Sequence, residues 1–301
     1  MPKGTPKAGF RRTKKRMMMG SGPVSIFKAP VTFGVPEETE EQKSMTDEQI
    51  MAKIENRFSA MDKMTTATCK GQNRALIVSG PPGLGKTYAV MKAVEAAEKR
   101  GFAPTVVKGF VRATGLYKLF YENRSKKSIV VLDDADSIFS DEDCLSILKT
   151  ATDMTEKRVL HWLAETNMED ASGEKLPRSF EFEGSVIFVT NYDFDVIIEK
   201  GSKLAPHMEA LISRSHYLDL GMKSKRDYVI RIKQVVGKLN MLINDGFTKV
   251  ESDEIMAFVI ENKNKMRELS LRMVVKVAGL LKIDKTNWKA LAKVTCMRNA
   301  A

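Results

Sequence analysis

The stretch "RALIVSGPPGLGKTYAVMKAV", residues 74–94, constrains the chain more than any other. An apolar run of strand length enters a loop rich in Gly and Pro, and a helical pattern leaves it. Gly80, Pro81, Pro82, Gly83, Leu84, Gly85, Lys86 and Thr87 fit G-x-x-x-x-G-K-[ST] in full, in the strand–loop–helix context that the motif requires. Glycines there let backbone N–H groups close around phosphate oxygens at a helix N-terminus. Lys86 then reaches the β- and γ-phosphates, and Thr87 ligates Mg²⁺, so ATP and Mg²⁺ are the expected ligands.

A second segment answers the first. "SIVVLDDAD", residues 128–136, is an apolar strand ending in carboxylates. It sets Asp133 at the carboxyl edge of a sheet, beside the phosphate loop, where it holds the metal through water. Asp134, next along, is placed to polarise an attacking water.

Around these segments strands and helices alternate. A first helix starts near Thr46, which stands three residues before Gln49 as in a capping box, and carries Ile50, Ile54, Phe58, Met61 and Met64. Strands are predicted in "RALIVSG", "PTVVKGF", "SIVVLDD", "SVIFVTN" and "HYLDL", with helices between them. Such alternation predicts an α/β fold, a parallel sheet covered by helices on both faces. From about residue 223 the pattern is helical only, with Val229, Ile232, Val236 and Leu239 marking one helix and Leu271, Val274, Ala278 and Leu281 another. Trp288 and Leu291 mark the last one. The expected plan is a basic tail and acidic linker (1–45), an α/β core (46–222) with a β-hairpin insertion near 158–184, and a small all-α lid (223–301).

Charge separates the tail from the body. The chain of 301 residues carries a net charge of +11, yet residues 1–36 hold eight Lys or Arg and no acid, leaving 41 basic against 38 acidic residues elsewhere. A Gly/Pro-rich arm with Arg11, Arg12, Lys14, Lys15 and Arg16 reads as disordered and suits sequence-independent contacts with nucleic-acid phosphates; a solubilising arm is the other reading. No apolar run is long enough for a membrane span, and the basic N-terminus lacks the apolar stretch expected of a secretory signal. Cys69, Cys144 and Cys296 have no close pairing, and His161, His207 and His216 have no metal-ligand spacing, so reduced thiols in a cytoplasmic protein are expected and zinc is not.

The order "GPPGLGKT", "VVLDDAD", "IFVTN", "LISR", "LSLR", followed by helices and no further sheet, resembles the AAA+ ATPases over about residues 46–285. The resemblance implies an ATP hydrolase that assembles with itself, as a hexamer-like ring or a filament. It implies that Asn191 is sensor 1, positioning water near the γ-phosphate, that Arg272 is sensor 2 in the lid, and that Arg214 is an arginine finger offered to the neighbouring subunit. "FEFEGSVIFVTN" and the Trp of "VLHWLAE" resemble AAA+ ATPases of tailed phages, which implies a host cytoplasm. Three positions depart from the pattern: Asp134 stands where Glu is usual, Ser215 follows Arg214 in place of an aromatic, and no adenine-contacting motif precedes the first strand.

Two segments are candidate substrate contacts. "VVKGFVRATG" follows the second strand, where the superfamily often builds a pore loop; Phe110, with Lys108 and Arg112 beside it, would grip a polymer, unless Phe110 is a core side chain. "RVLHWLAE" and "RSFEFEG" alternate apolar and polar residues around a polar loop, which predicts a hairpin with Lys175 and Arg178 near its tip. Three activities stay open: loading, remodelling or movement on DNA in replication, recombination or transposition; remodelling of a polypeptide partner; and a slow ATP-dependent scaffold bound to DNA.

Overall fold

The structure is a computed structural model that describes residues 40–164, 168–170, 173–222 and 224–298; the basic arm with Arg11, Arg12, Lys14, Lys15 and Arg16 lies outside them. A short helix α1 (Glu40–Ser44) precedes α2 (Asp47–Cys69), which begins where its side chains cap it. Thr46 accepts from the Gln49 N–H, and the Gln49 side chain accepts from the Thr46 N–H, a complete capping box.

Next come β1 (Ala75–Ser79), α3 (Lys86–Glu98), β2 (Ala103–Lys108), α4 (Ala113–Glu122), β3 (Ser128–Asp133) and α5 (Glu142–Ala151). The short strands β4 (Val159–His161) and β5 (Ser179–Glu181) follow, then β6 (Ser185–Thr190), α6 (Phe194–Glu199), α7 (Ala205–Arg214) and β7 (His216–Asp219). The helical end of the chain holds α8 (Lys225–Ile232), α9 (Met241–Asn244), α10 (Lys249–Glu261), α11 (Leu271–Ile283) and α12 (Trp288–Cys296).

Five strands pair in parallel in the order β2-β3-β6-β1-β7. Every residue of β1, β3 and β6 is buried, which is why their sequences are continuous apolar runs. Their alternation still sorts the two faces. Leu76, Val78, Ile129, Val131, Ile187 and Val189 join α2, α3 and the helical end in one apolar cluster. Ile77, Val130, Leu132, Val186 and Phe188 join α4, α5 and α7 in the other. The sheet is thus covered on both faces, and helices alone make up the C-terminal region, the α/β plan expected.

β4 and β5 form an antiparallel pair with Leu160 opposite Phe180. They lie on α4: the Tyr117 ring stands 5.0 Å from Phe180 and 5.6 Å from Trp162, and Phe120 stands 4.9 Å from Phe182. At the hairpin's base the buried Arg158 donates to the Ala151 and Gly184 carbonyls, at 2.7 and 2.9 Å.

Two apolar positions that marked helices are exposed, Leu291 at 36% and Leu239. Leu239 is 58% exposed, although Val229, Ile232 and Val236 are buried. Residues Lys233–Lys238 form a π-helical turn after α8. The wider turn adds a residue to the register and rotates Leu239 off the apolar stripe. Among the described residues no helix is long and apolar enough to cross a membrane.

Candidate active site

Three strands end together. Ser79 pairs with Thr190, and Asp133 with Val189, so Gly80, Asp134 and Asn191 leave the sheet at one carboxyl edge. The loop after β1 turns through Gly83 (φ 76°) and Gly85 (φ 92°), left-handed positions that glycine takes without strain, and Lys86 opens α3. A Cβ on Gly83 would lie 2.7 Å from the Ser270 Cβ, and the Leu271 N–H donates to the Gly83 carbonyl at 2.9 Å. The start of α11 therefore rests on the loop, which brings Arg272 close enough for its charge to act on Lys86.

Lys86 is 5% exposed. Its ammonium has three donors and three acceptors: the Gly80 carbonyl at 2.5 Å, the Pro81 carbonyl at 2.8 Å and Asn191 Oδ1 at 3.0 Å. Burial pushes it down to about 8, against the pull of Asp134, Asp136 and Asp133. Thr87 donates its hydroxyl to Asp133 Oδ1 at 2.9 Å. Asn191 Nδ2 donates to Asp134 Oδ1 at 2.8 Å. Asp134 itself has φ 52°, a left-handed conformation that Asp tolerates, and its N–H donates to the Val189 carbonyl at 3.0 Å. Lys86, Thr87, Asp133, Asp134, Asn191 and Arg272 are thus brought to one place.

The donors suit Mg²⁺. Thr87 Oγ1 and a buried carboxylate are hard oxygen ligands, and the other carboxylate oxygen of Asp133 already holds a cation, the Lys108 ammonium, at 2.9 Å. Lys108, expected as a substrate contact, is thus also the ion-pair partner of Asp133. The β2–β3 register sets Lys108 opposite Asp133, and a carboxylate with 3% side-chain exposure draws the nearest mobile cation.

Arg214 is elsewhere. It ends α7 at the opposite edge of the sheet, donating to the Ala210 carbonyl at 2.8 Å, with Asp153 Oδ1 3.6 Å from its Nε. Phe110 is 73% exposed, so it is not a core side chain, and the Arg112 guanidinium lies 5.6 Å from its ring centroid. Lys175 and Arg178 are exposed on the hairpin.

Two residues at the site escaped the sequence reading. Asp136 accepts from Thr190 Oγ1 at 2.5 Å, and burial pushes its carboxyl above the usual range. Arg231 is buried, 3.3 Å above the Phe58 ring centroid, with Nη1 on Gln234 Oε1 at 2.8 Å and Nη2 on the Leu84 carbonyl at 3.4 Å. The signal for Arg231 was an arginine inside "YVIRI", where every neighbour is buried. For Asp136 it was a third carboxylate in "DDAD".

Residues 76–200 match the family described as ATPase family associated with various cellular activities (AAA). The chain is 33% identical over 270 residues to an uncharacterized 36.7 kDa protein of the nrdC-mobD intergenic region of Enterobacteria phage T4, covering 89% of this chain and 82% of that one. Among solved structures, a mutant of RuvB from Thermotoga maritima matches with a TM-score of 0.44 and 13% identity, over 81% of this chain and 70% of that one. NtrX from Brucella abortus in complex with ATP matches with a TM-score of 0.43 and 12% identity, over 86% of this chain and 54% of that one.

Proposed function

Because the chain belongs to the AAA family of ATPases, we propose that it works as an oligomer that couples ATP hydrolysis to loading, remodelling or movement on DNA. The observation that supports hydrolysis at this site is the meeting of the Thr87–Asp133 and Asn191–Asp134 pairs at one sheet edge, within reach of Lys86. Loop N–H groups and Lys86 bind the β- and γ-phosphates, and Arg272 closes the lid over them. Thr87 and Asp133 would hold Mg²⁺, which would supply charge neutralisation at the phosphates. Asp134 accepts the proton of the attacking water, which Asn191 orients. Arg214, remote from its own loop, serves the nucleotide of a neighbouring copy.

DNA is favoured by the arm, with eight cations and no acid in residues 1–36. The exposure of Phe110 favours a second reading, a motor on polypeptides. ATPase rates measured alone, with DNA and with an unfolded polypeptide, over graded salt, separate the two. Stimulation by DNA that fades as salt rises supports the first. Stimulation by polypeptide alone supports the second. Low turnover whatever the polymer, with ATP-dependent DNA binding, supports a slow scaffold.

A further inference from the structure

Asp133 and Lys108 face each other across the β2–β3 pairing with unequal freedom. The carboxylate has 3% side-chain exposure and the lysine 60%. Asp133 cannot leave the site, while Lys108 has open solvent to swing into. A carboxylate this buried needs charge compensation, and a Thr hydroxyl supplies none. Lys108 is the cation in direct contact with it, at 2.9 Å; the Lys86 ammonium is bonded to the Gly80 and Pro81 carbonyls and to Asn191 instead.

Lys108 also begins the loop that carries Phe110. Gly109 follows with φ 88°, a left-handed turn, and then Phe110 projects into solvent. The far side of the loop is fastened by Ser137, whose hydroxyl accepts from the Val111 N–H at 3.1 Å and donates to the Val111 carbonyl at 3.3 Å. Both fastenings come from one segment, residues 133–137, which also carries Asp134. Phe110 is strung between two anchors, and one of them sits on the carboxylate assigned to the metal.

We propose that Lys108 is a displaceable internal cation: it occupies Asp133 when the site is empty, Mg²⁺ with nucleotide displaces it, and its departure releases one anchor of the Phe110 loop. The proposal rests on the reading of Asp133 as the Mg²⁺ carboxylate. Two cations compete for one carboxylate, so Lys108 weakens Mg²⁺ binding and keeps the metal-free site intact. Metal and nucleotide occupancy are thereby converted into freedom of the exposed Phe110.

The test titrates Mg²⁺ into full-length protein holding a fluorescent ATP analogue, and compares wild type, Lys108→Met, Lys108→Gln and Lys108→Arg. Removing a charge-assisted hydrogen bond is expected to lower the half-saturating Mg²⁺ concentration by about tenfold in the Met and Gln variants. The Arg variant, which keeps the charge, stays near wild type. In EDTA the Met and Gln variants melt lower than wild type, and Mg²⁺ with nucleotide closes the gap. A second readout places a dye on Phe110→Cys, which labels selectively because Cys69, Cys144 and Cys296 are buried. Dye anisotropy falls when Mg²⁺ and nucleotide bind, and with Lys108→Met added it is already low in their absence. Half-saturating Mg²⁺ within about twofold of wild type in both neutral variants, with anisotropy still responding to nucleotide, overturns the role of Lys108 and leaves the site standing. A wild-type protein that binds the analogue with no dependence on Mg²⁺ overturns the reading of Asp133, and this proposal with it.

Discussion

Asn191 bridges Lys86 and Asp134: its oxygen accepts from the ammonium at 3.0 Å, and its nitrogen donates to the carboxylate at 2.8 Å. The orientation of the amide is set by those two partners, since only the oxygen can face an ammonium and only the nitrogen a carboxylate. The residue proposed to bind phosphate and the residue proposed to take a proton are therefore joined through one side chain.

Replacing Asp134 by Asn keeps an oxygen for Asn191 and removes the proton acceptor. Asp134→Asn is expected to bind ATP as wild type does and to turn it over roughly 10²–10⁴ times more slowly, the range a positioned base contributes. Single-turnover hydrolysis beside equilibrium binding checks it. Near-native turnover would move the base to another carboxylate, with Asp136 the next to test.

Lys86 gives the site a pH signature. Its ammonium is lowered to about 8 in the free protein, from an ordinary 10.5, because it is buried. Above that pH the free site holds a neutral amine, whereas phosphate needs the ammonium. ATP affinity is then flat below about 8 and falls above it, by up to about tenfold per pH unit. Stability runs the other way: between about 8 and 10.5 the unfolded chain holds a proton that the folded chain lacks, so the Lys86 contribution to stability rises with pH. Binding and unfolding curves for wild type, less those for Lys86→Met, isolate the two slopes; equal slopes in the variant would assign them to other groups.

Local features of the site were legible along the chain, and long-range ones were not. Thr46 and Gln49 sit within one helical turn, so their capping box was written in the spacing. Gly80 to Thr87 specify their loop by backbone chemistry alone. The Lys108–Asp133 pair was not legible because the partner is 25 residues away in sequence and is set by the β2–β3 register, which no local pattern encodes. Arg231 was invisible because an arginine ordinarily signals a solvated face; here Phe58, from a helix far upstream, covers it. Leu239 failed by one residue of helical phase, through a π-helical turn with no marker in "KQVVGK".

Arg231 ties three parts of the fold together, since Phe58 belongs to α2, Leu84 to the phosphate loop and Gln234 to the turn after α8. Its Nε has no hydrogen-bond partner among the described residues. Exchanging a buried, partly satisfied charge for an apolar chain of similar length is often close to neutral for folding. Arg231→Met is thus expected to shift unfolding by less than about 1–2 kcal/mol, the loss of the ring contact being offset by relief of the buried charge. ATP affinity should fall several-fold, because the Leu84 carbonyl loses its donor beside the loop N–H groups proposed to face phosphate. Arg231→Lys, which cannot span Gln234 and Leu84 together, should not rescue it. Wild-type ATP affinity in the Met variant would confine Arg231 to packing.

Arg214 lies at the wrong edge of the sheet to serve its own phosphate loop, and Asp153 Oδ1 stands 3.6 Å from its Nε. Arg214→Ala and Lys86→Ala proteins should each be inactive, and a mixture should regain activity where an intact Arg214 meets an intact phosphate site. An arginine finger contributes roughly 10³–10⁵ in rate, so even partial mixing is detectable. Specific activity of wild type should rise with protein concentration. A dead mixture together with concentration-independent activity would assign Arg214 to its own helix.

The basic arm is the remaining test of a DNA role. Residues 1–22 carry Lys3, Lys7, Arg11, Arg12, Lys14, Lys15 and Arg16 and no residue of the nucleotide site. If those cations meet phosphates, deleting the segment weakens DNA binding and flattens its salt dependence. The logarithm of affinity falls with the logarithm of salt by about 0.9 per phosphate neutralised on duplex, so losing even about three contacts lowers the slope by nearly 3. ATP binding should be unchanged, because the loop, Asp133 and Asn191 are all retained. The measurement is DNA affinity at four or five salt concentrations for the full chain and the truncated one. An unchanged slope would make the arm a solubilising segment, and the exposed Phe110 would then favour a polypeptide as the substrate.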